Sequence, residues 1–444
     1  MSVPPEFRDR HAYQFLHIDN LPSALKHGLL CTKKLQRRGI QCRSVASPSI
    51  QQTRSKMVVP CGPGGVVHDY VPFYLCKRSS MLLSVLNTKN VDQQLLIYLA
   101  IPIAVVEKDH VVFTDAAANR PHDPPNFYTV PKDLRKLNWD AITCMKWTAG
   151  SDSLNHARMA EVLVHKRVDM ADVAFIVVWN ESVADRVRDI YAEAKLTAPM
   201  IRFDSWHYFM KYPQNPDQSL VTGPYFTKMA FEETIASIFK KLGKGRFCRF
   251  PTLGRMLTAL RRDIRCVPET AELDGLKIDN PMHPYDLGTH TKRVAECLRG
   301  LPEYSTLNST DQLLVELAAY FHDIGKGPKK RWKSRGGKYQ VDRDHPLFGL
   351  SMIERILTKD VQKWARRSAK LICKLVCYHD LVGDILAKGR DESQLVEIVD
   401  DERELDMLIA LAKADALAVH SEWWNDAKAT ELRDRIVAGF QDAG

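Results

Sequence analysis

The sequence predicts an α+β domain followed by an all-α domain, and three observations lead there. At 444 residues the chain exceeds what one hydrophobic core ordinarily organises, so two domains are expected. Residues 12 to about 210 alternate β-branched runs with turn residues and short helical stretches. From His283 onward strand signals vanish and apolar residues recur at helical spacing. The expected boundaries are 1–212 for the first domain, 213–279 for a linker containing a helix, and 280–444 for the second domain.

In chain order, LPSALKHGLL has helical spacing and meets Gly28, a C-cap candidate. LIYLAIPIAVV, HVVFTD, ADVAFIVVWN and PMIRFDSWHYF read as strands, and EVLV from Glu161 alternates as a further one. YPQNPDQSLVTGP is dense in turn residues and reads as a linker. TKMAFEETIASIFKKLGKG reads as a helix that stops at glycine. TKRVAECLRGL, TDQLLVELAAYFHDIG, PLFGLSMIERIL, ARRSAKLICKLVCYH and ERELDMLIALAKADALAVH are the amphipathic helices of the second domain.

Hydrophobic and charged contents of 45% and 26% exclude a disordered or fibrous chain. A net charge of +9 suits a polyanionic partner and equally a solvated basic surface. Ten cysteines lack zinc-finger spacing, and Cys373 and Cys377, one helical turn apart, read as core. Scattered thiols, no leader and no membrane-spanning run lead us to expect a cytoplasmic protein with no membrane partner.

Six polar residues interrupt the apolar helices: His290, His322, Asp323, His345, His379 and Asp415. A buried carboxylate costs several kcal/mol unless it is paired or holds a cation. Asp415 sits among small apolar residues in LAKADALA, with Lys413 as its near basic neighbour. Imidazole with carboxylate suits one or two divalent ions, from Mn, Fe, Co or Zn to Mg. The order H…HD…H…H…D resembles the HD phosphohydrolase superfamily. HPYDLGTHTKRV, AAYFHDIGKG, DHPLFGLSMIERI, YHD and ADALAVHSEWWNDAKATELRD look like successive blocks of the uridylyl-removing HD domain of PII uridylyltransferases. The resemblance implies a first metal on His290, His322, Asp323 and Asp415. It implies a second on His345 and His379, bridged by Asp323. The ions would generate a nucleophile near neutral pH and neutralise phosphoryl charge. Lys326 would meet a phosphate oxygen.

Four blocks of the first half remain: YQFLHIDNLPSALKHGLL, VVHDYVPFYLCKRSSMLL, LNWDAITCMKW and MAEVLVHKRVDMADVAFIVV. Together they resemble the DarT ADP-ribosyltransferases, which transfer ADP-ribose from NAD to a base in single-stranded DNA. The resemblance makes Glu161 the catalytic carboxylate, stabilising an oxocarbenium-like ribose. It assigns Arg54 to NAD phosphate or the target base, and Arg78 to the nucleic-acid strand. Tyr13, Gln14, His17 and Asn20 would contact NAD, while Tyr70, Phe73 and Tyr74 would shape the cofactor pocket or offer stacking faces. The family opens with Tyr-His-x-Thr, where this chain has Tyr13-Gln14-Phe15-Leu16. Gln14 retains hydrogen-bonding capacity and Leu16 does not.

The expected whole is an ADP-ribosyltransferase-like α+β domain fused to an HD-type helical domain. NAD and a divalent metal are the expected cofactors. Single-stranded DNA is the expected partner, with RNA as the alternative and an antitoxin as a further one. The expected setting is a toxin–antitoxin or anti-phage system. Two alternatives are a degenerate NAD or nucleic-acid sensor controlling an active hydrolase, and a non-catalytic nucleic-acid binder with a structural metal.

Overall fold

The computed structural model describes residues 2–43, 45, 48–212, 215–241 and 248–442. The chain divides into two compact units, residues 1–223 and 224–444.

The first unit is built on an eight-stranded sheet. Its strands are β1 (His11–His17), β2 (Tyr70–Tyr74), β3 (Leu96–Pro102), β4 (Val111–Thr114), β5 (Phe127–Tyr128), β6 (Glu161–His165), β7 (Phe175–Val178) and β8 (Met200–Phe203). Their order is β8-β7-β3-β1-β2-β6-β4-β5, with β8 and β7 parallel and the other pairs antiparallel. β3 lies inside the sheet and is apolar on both faces, which is why LIYLAI shows no alternation. Helix α1 (Leu21–His27) ends where Gly28 takes a φ of 76°, as a C-cap glycine does. Helix α2 (Pro48–Lys56) carries Arg54. One register sets up the site: Tyr13 of β1 pairs with Tyr74 of β2, and Tyr74 with Glu161 of β6. Paired residues share a face, so Tyr13, Tyr74 and Glu161 line one side of the sheet.

The unit boundary corrects the expected one. Residues 213–279 are not a linker containing a helix. Met210–Tyr212 pairs antiparallel with Asn215–Ser219, so the Pro- and Asn-rich stretch marks a hairpin of the first unit. Pro213 and Gln214 lie outside the described residues, as do Gly243 and Gly245, where the following helix was expected to stop. That helix, α3 (Pro224–Lys241), places Phe231, Ile235 and Ile238 in the second unit's core. Helix α4 (Leu253–Arg262) adds Leu253, Met256, Leu257 and Leu260 to the same core. Both are amphipathic core helices, and only their position before the metal motifs made them look like a connector.

The rest of the second unit is mainly helical. Its main helices are α5 (Leu287–Gly300), α6 (Ser309–Phe321), α7 (His345–Arg355), α8 (Arg366–Cys377), α9 (His379–Lys388) and α10 (Glu402–Val419). Cys373 and Cys377 are buried in the core, as expected. Two short parallel pairs, Phe250–Thr252 with Val361–Lys363 and Lys277–Ile278 with Lys338–Tyr339, are too brief to leave a periodic signal.

Candidate active sites

In the first unit, Glu161 opens β6 and is fully buried. Its backbone N–H donates to Thr114 Oγ1 at 3.1 Å, which fixes the strand start. Arg54 Nη1 and Nη2 donate to Glu161 Oε1 and Oε2 at 2.8 and 2.9 Å, a bidentate ion pair. Burial opposes the Arg54 charge, and the Glu161 carboxylate more than offsets it, so the guanidinium pKa rises. Burial, with the same carboxylate, pushes the Tyr74 hydroxyl well up, so it stays protonated; it donates to Met81 Sδ at 3.0 Å. The side of the sheet holding this pair also carries a cavity of about 360 Å³ beside Tyr13. Arg10, Lys77, Arg202 and His207 are among its lining residues. None of these four was a sequence-predicted site residue, because a scattered basic residue carries no periodic or motif signal.

The other expected residues separate. His17 meets Asp19 through Nδ1, at 3.2 Å from the backbone N and 3.1 Å from Oδ2, and its Nε2 is buried without a partner. Burial and the Arg43 charge push its pKa down to about 4, so the ring is neutral near pH 7. Asn20 binds the Arg43 backbone in both directions, at 2.9 and 2.8 Å, and so tethers the segment leading to α2. Tyr70 shares the Glu161 face, but it is buried and its hydroxyl donates to Gly64 O at 2.8 Å. Alternation puts Gln14 and Phe73 on the opposite face from Glu161. Phe73 is fully buried there, a core residue rather than a pocket wall. Gln14 keeps a buried amide oxygen without a partner.

Arg78 is corrected most. It is buried, donates from Nη1 to Tyr208 O at 3.2 Å and from Nη2 to Met145 O, and lies 4.9 Å from the Phe209 ring centre. It holds loops together rather than facing a nucleic-acid strand. Arg78→Ala is therefore expected to destabilise the first unit by about 1–3 kcal/mol, the cost of stranding buried acceptors. Urea denaturation reads this. An unchanged midpoint with weakened oligonucleotide binding would return Arg78 to the nucleic-acid face.

The second unit brings all six expected ligands together. His290 comes from α5, His345 opens α7, His379 opens α9 and Asp415 lies on α10, while His322 and Asp323 follow α6. His290 Nε2 is 3.0 Å from Asp415 Oδ1 and 3.7 Å from Asp323 Oδ2. His322 Nε2 is 3.3 Å from Asp323 Oδ2 and 3.6 Å from Asp415 Oδ1. On the other oxygen, Asp323 Oδ1 is 3.3 Å from His345 Nε2 and 3.9 Å from His379 Nε2. Two ligand groups thus share Asp323: His290, His322 and Asp323, then Asp323, His345 and His379. The ring orientations are held from behind. His322 Nδ1 contacts Ala319 O at 2.8 Å, His345 Nδ1 contacts Asp342 O at 2.9 Å, and His379 Nδ1 contacts Val376 O at 2.8 Å. Each therefore turns Nε2 inward, as metal-ligating histidines do.

The donor set fits a divalent cation. His322 Nε2 and Asp323 Oδ1 are buried without a hydrogen-bond partner, which a bound ion would satisfy. Buried Glu316 on the neighbouring α6 shows the contrast: it accepts from Arg261 and Arg299, at 2.7 Å each, and from Tyr304 at 3.1 Å. Asp323 has Lys326 as its basic partner, with Nζ 2.6 Å from Oδ2. Lys326 is therefore an inward-facing cation, not an exposed loop residue. Burial lowers the His322 pKa, but Asp323 and Asp415 outweigh it and push the ring up to about 9. Metal binding at Nε2 would displace that proton, so affinity should fall with acidity.

Comparison with known proteins agrees with both halves. Residues 13–210 match the family described as "ssDNA thymidine ADP-ribosyltransferase, DarT", and residues 287–438 match the HD domain family. A DNA ADP-ribosyl transferase of Thermus sp. (strain 2.9) is 34% identical over 204 residues, covering 44% of this chain and 95% of that protein. A DNA ADP-ribosyl transferase–DNA ADP-ribosyl glycohydrolase fusion protein of Thermosipho africanus is 24% identical, over 54% of this chain and 61% of its own length. A bifunctional uridylyltransferase/uridylyl-removing enzyme of Vibrio campbellii is 35% identical over 186 residues, which are 38% of this chain and 19% of that enzyme. The chain belongs to the DarT family of ADP-ribosyltransferases through its first unit, and its second unit carries a match to the HD domain family.

Proposed function

We propose that the first unit transfers ADP-ribose from NAD to a base in single-stranded DNA. The observation that carries this reading is the buried, bidentate Arg54–Glu161 pair at the start of β6. As the nicotinamide–ribose bond breaks, positive charge grows on the ribose, and a base nitrogen takes the position nicotinamide leaves. Glu161 places a fixed negative charge where it favours that state over the ground state. Arg54 holds both carboxylate oxygens and fixes their direction. On the Glu161 face, His17 keeps an unpartnered ring nitrogen that suits a ribose hydroxyl. Arg10 and Arg202, in a cavity beside Tyr13 that also holds Asp9 and an Asp204 paired with Lys77, suit the phosphates of the acceptor strand. Labelled NAD incubated with single-stranded oligonucleotides of each base, read by mass spectrometry, tests the reading. Leu16, which replaces a polar residue of the family pattern, favours a second reading in which the unit senses NAD without transfer. Saturable NAD binding with no adduct on any oligonucleotide would select that reading.

We further propose that the second unit hydrolyses a phosphodiester or phosphoanhydride of a nucleotide. Two ligand groups sharing Asp323 support it, because a structural site has little use for a bridging carboxylate. Divalent ions bound there would supply a nucleophile near neutral pH and neutralise phosphoryl charge. Asp323 would bridge the two groups, and the Lys326 ammonium would offset charge on the phosphate. The proposed setting is cytoplasmic, in a toxin–antitoxin or anti-phage system, with a separate antitoxin partner. No described helix is long and apolar enough to cross a membrane.

The bond types decide what the HD unit can do to the transferase product. ADP-ribose joins a base through an N-glycosidic carbon, whereas HD chemistry attacks phosphorus. Within the adduct, the pyrophosphate is the bond such a site can hydrolyse. Full-length protein with Mn²⁺ is expected either to trim the adduct to a phosphoribosyl remnant of fixed mass or to leave it and act on a separate nucleotide. Mass spectrometry of the oligonucleotide checks this, and recovery of the unmodified base would establish an eraser instead.

A further inference from the structure

Apart from the metal cluster, the second unit holds a cavity of about 420 Å³ between α3, α8 and the short helix Ser393–Ile398. Its size suits a small organic molecule. Phe231, Phe239, Tyr378 and Ile398 supply apolar walls. Phe231 packs edge-on to Tyr378 with ring centres 5.9 Å apart, and Phe239 carries the Arg366 guanidinium 5.1 Å from its ring centre. Helix α3 therefore runs antiparallel to α8 along the cavity, and charge is sorted between the two ends. At the Arg366 end, Lys370 Nζ lies 2.7 Å from Asp400 Oδ2. One turn on, buried Lys374 lies 3.3 Å from the same oxygen and pairs with Glu404. At the Tyr378 end, Glu232 and Glu397 line the cavity within Coulombic reach of the Tyr378 hydroxyl. Neither has a hydrogen bond or ion pair among the described residues. Lys228, one turn before Glu232, offsets one of these two charges. Arg390, also near Tyr378, is held by Gln394 and Asp384. Tyr378 itself is 5% exposed, and its hydroxyl is buried without a hydrogen-bond partner.

An ammonium group at the Tyr378 end would meet two carboxylates, an unpaired hydroxyl and the rings of Tyr378 and Phe231, all of which favour a cation. The rest of the ligand would lie along the apolar walls. An anion placed there would face Glu232 and Glu397. The position also touches the metal centre through the chain. Tyr378 immediately precedes His379, its backbone N–H donates to Lys374 O at 3.0 Å, and His379 Nδ1 contacts Val376 O at 2.8 Å. The last turn of α8 thus carries both the cavity wall and the support of the His379 ring. We propose that this cavity is an effector site for a small organic cation with an apolar body, which packs against Tyr378 and holds His379 in its ligating position. Ligand and metal then strengthen each other by one common factor. This rests on the hydrolase reading for what the metal group does, and not for the site itself.

The test titrates full-length protein calorimetrically with 2-phenylethylamine and with 3-phenylpropionate, an anion of similar shape. The amine is expected to bind about tenfold more tightly than the anion. Glu232→Gln/Glu397→Gln should remove that preference. Ala236→Trp, at an exposed cavity-lining position of α3, should fill the space and abolish binding with the Tm of the metal-free protein unchanged. Saturating amine should lower by about fivefold the Mn²⁺ concentration that half-saturates the metal-induced rise in Tm. Mn²⁺ should tighten the amine by the same factor, and Ala236→Trp should show neither effect. Equal affinity for amine and anion, binding that survives Ala236→Trp, or a manganese response that the amine does not move overturns the proposal. Amine binding that shifts the manganese response in a protein that hydrolyses no phosphodiester or phosphoanhydride keeps the effector site and overturns the hydrolase reading.

Discussion

Glu161→Gln is expected to lower ADP-ribose transfer by about a thousandfold, the scale of losing one preorganised electrostatic group. The loss should fall on turnover, because the carboxylate acts on charge that appears only as the glycosidic bond breaks. The same substitution has a structural effect. It leaves the Arg54 guanidinium buried with a neutral partner, and removing one member of a buried pair costs about 3–5 kcal/mol. A simple activity assay would therefore confuse a lost catalyst with an unfolded unit. The double variant Arg54→Met/Glu161→Gln separates them. Removing both charges should recover much of the stability and none of the transfer. Calorimetry gives the first quantity, and mass spectrometry of the oligonucleotide gives the second. Transfer that returns with stability in the double variant would reduce Glu161 to a structural residue.

The sequence showed the metal cluster more fully than the transferase site, for a physical reason. Histidine and aspartate on apolar helices are chemically out of place, so His290, His322, Asp323, His345, His379 and Asp415 stand out one by one. The helices bring them together because His290 and Asp415 lie on inward stripes while His322, Asp323, His345 and His379 sit at helix ends that converge on the same point. The transferase site is built on a sheet whose central strands are buried on both faces. There, Tyr70, Phe73 and Tyr74 are equivalent letters, and register decides which of them shares a face with Glu161. Alternation in EVLV was enough to place Glu161 on a strand, yet nothing in the linear chain pairs it with Arg54, 107 residues away. Arg78 shows the same limit from the other side. A guanidinium satisfied by two backbone carbonyls reads, in sequence, like one facing a phosphate. The stretch from Pro224 to Asp279 carried its amphipathic signal openly, but periodicity marks an apolar face without naming the core that receives it.

Asp323→Asn is expected to remove both the metal and the hydrolysis, with transfer unaffected. Asp323 gives one oxygen to the His290–His322 side and the other to the His345–His379 side, so one substitution weakens both ligand groups at once. An amide oxygen is a weaker, uncharged donor, and its nitrogen cannot ligate at all. Hydrolysis should fall by at least about a thousandfold, equal to roughly 4 kcal/mol of transition-state charge stabilisation. Stability supplies an independent readout. Divalent metal that binds only the folded unit stabilises it by about 2.7 kcal/mol at a hundredfold excess over Kd. Mn²⁺ should therefore raise the Tm of the second unit's transition in wild type, and EDTA should reverse the shift. Asp323→Asn should show neither effect, because both ligand groups lose the carboxylate they share and Asp415 alone remains, on the His290–His322 side. The first unit's transition should not respond to metal in either protein. Elemental analysis completes the test: wild type that retains no divalent ion and gains no Tm with any of Mn, Fe, Co, Zn or Mg would remove the metal centre from the account.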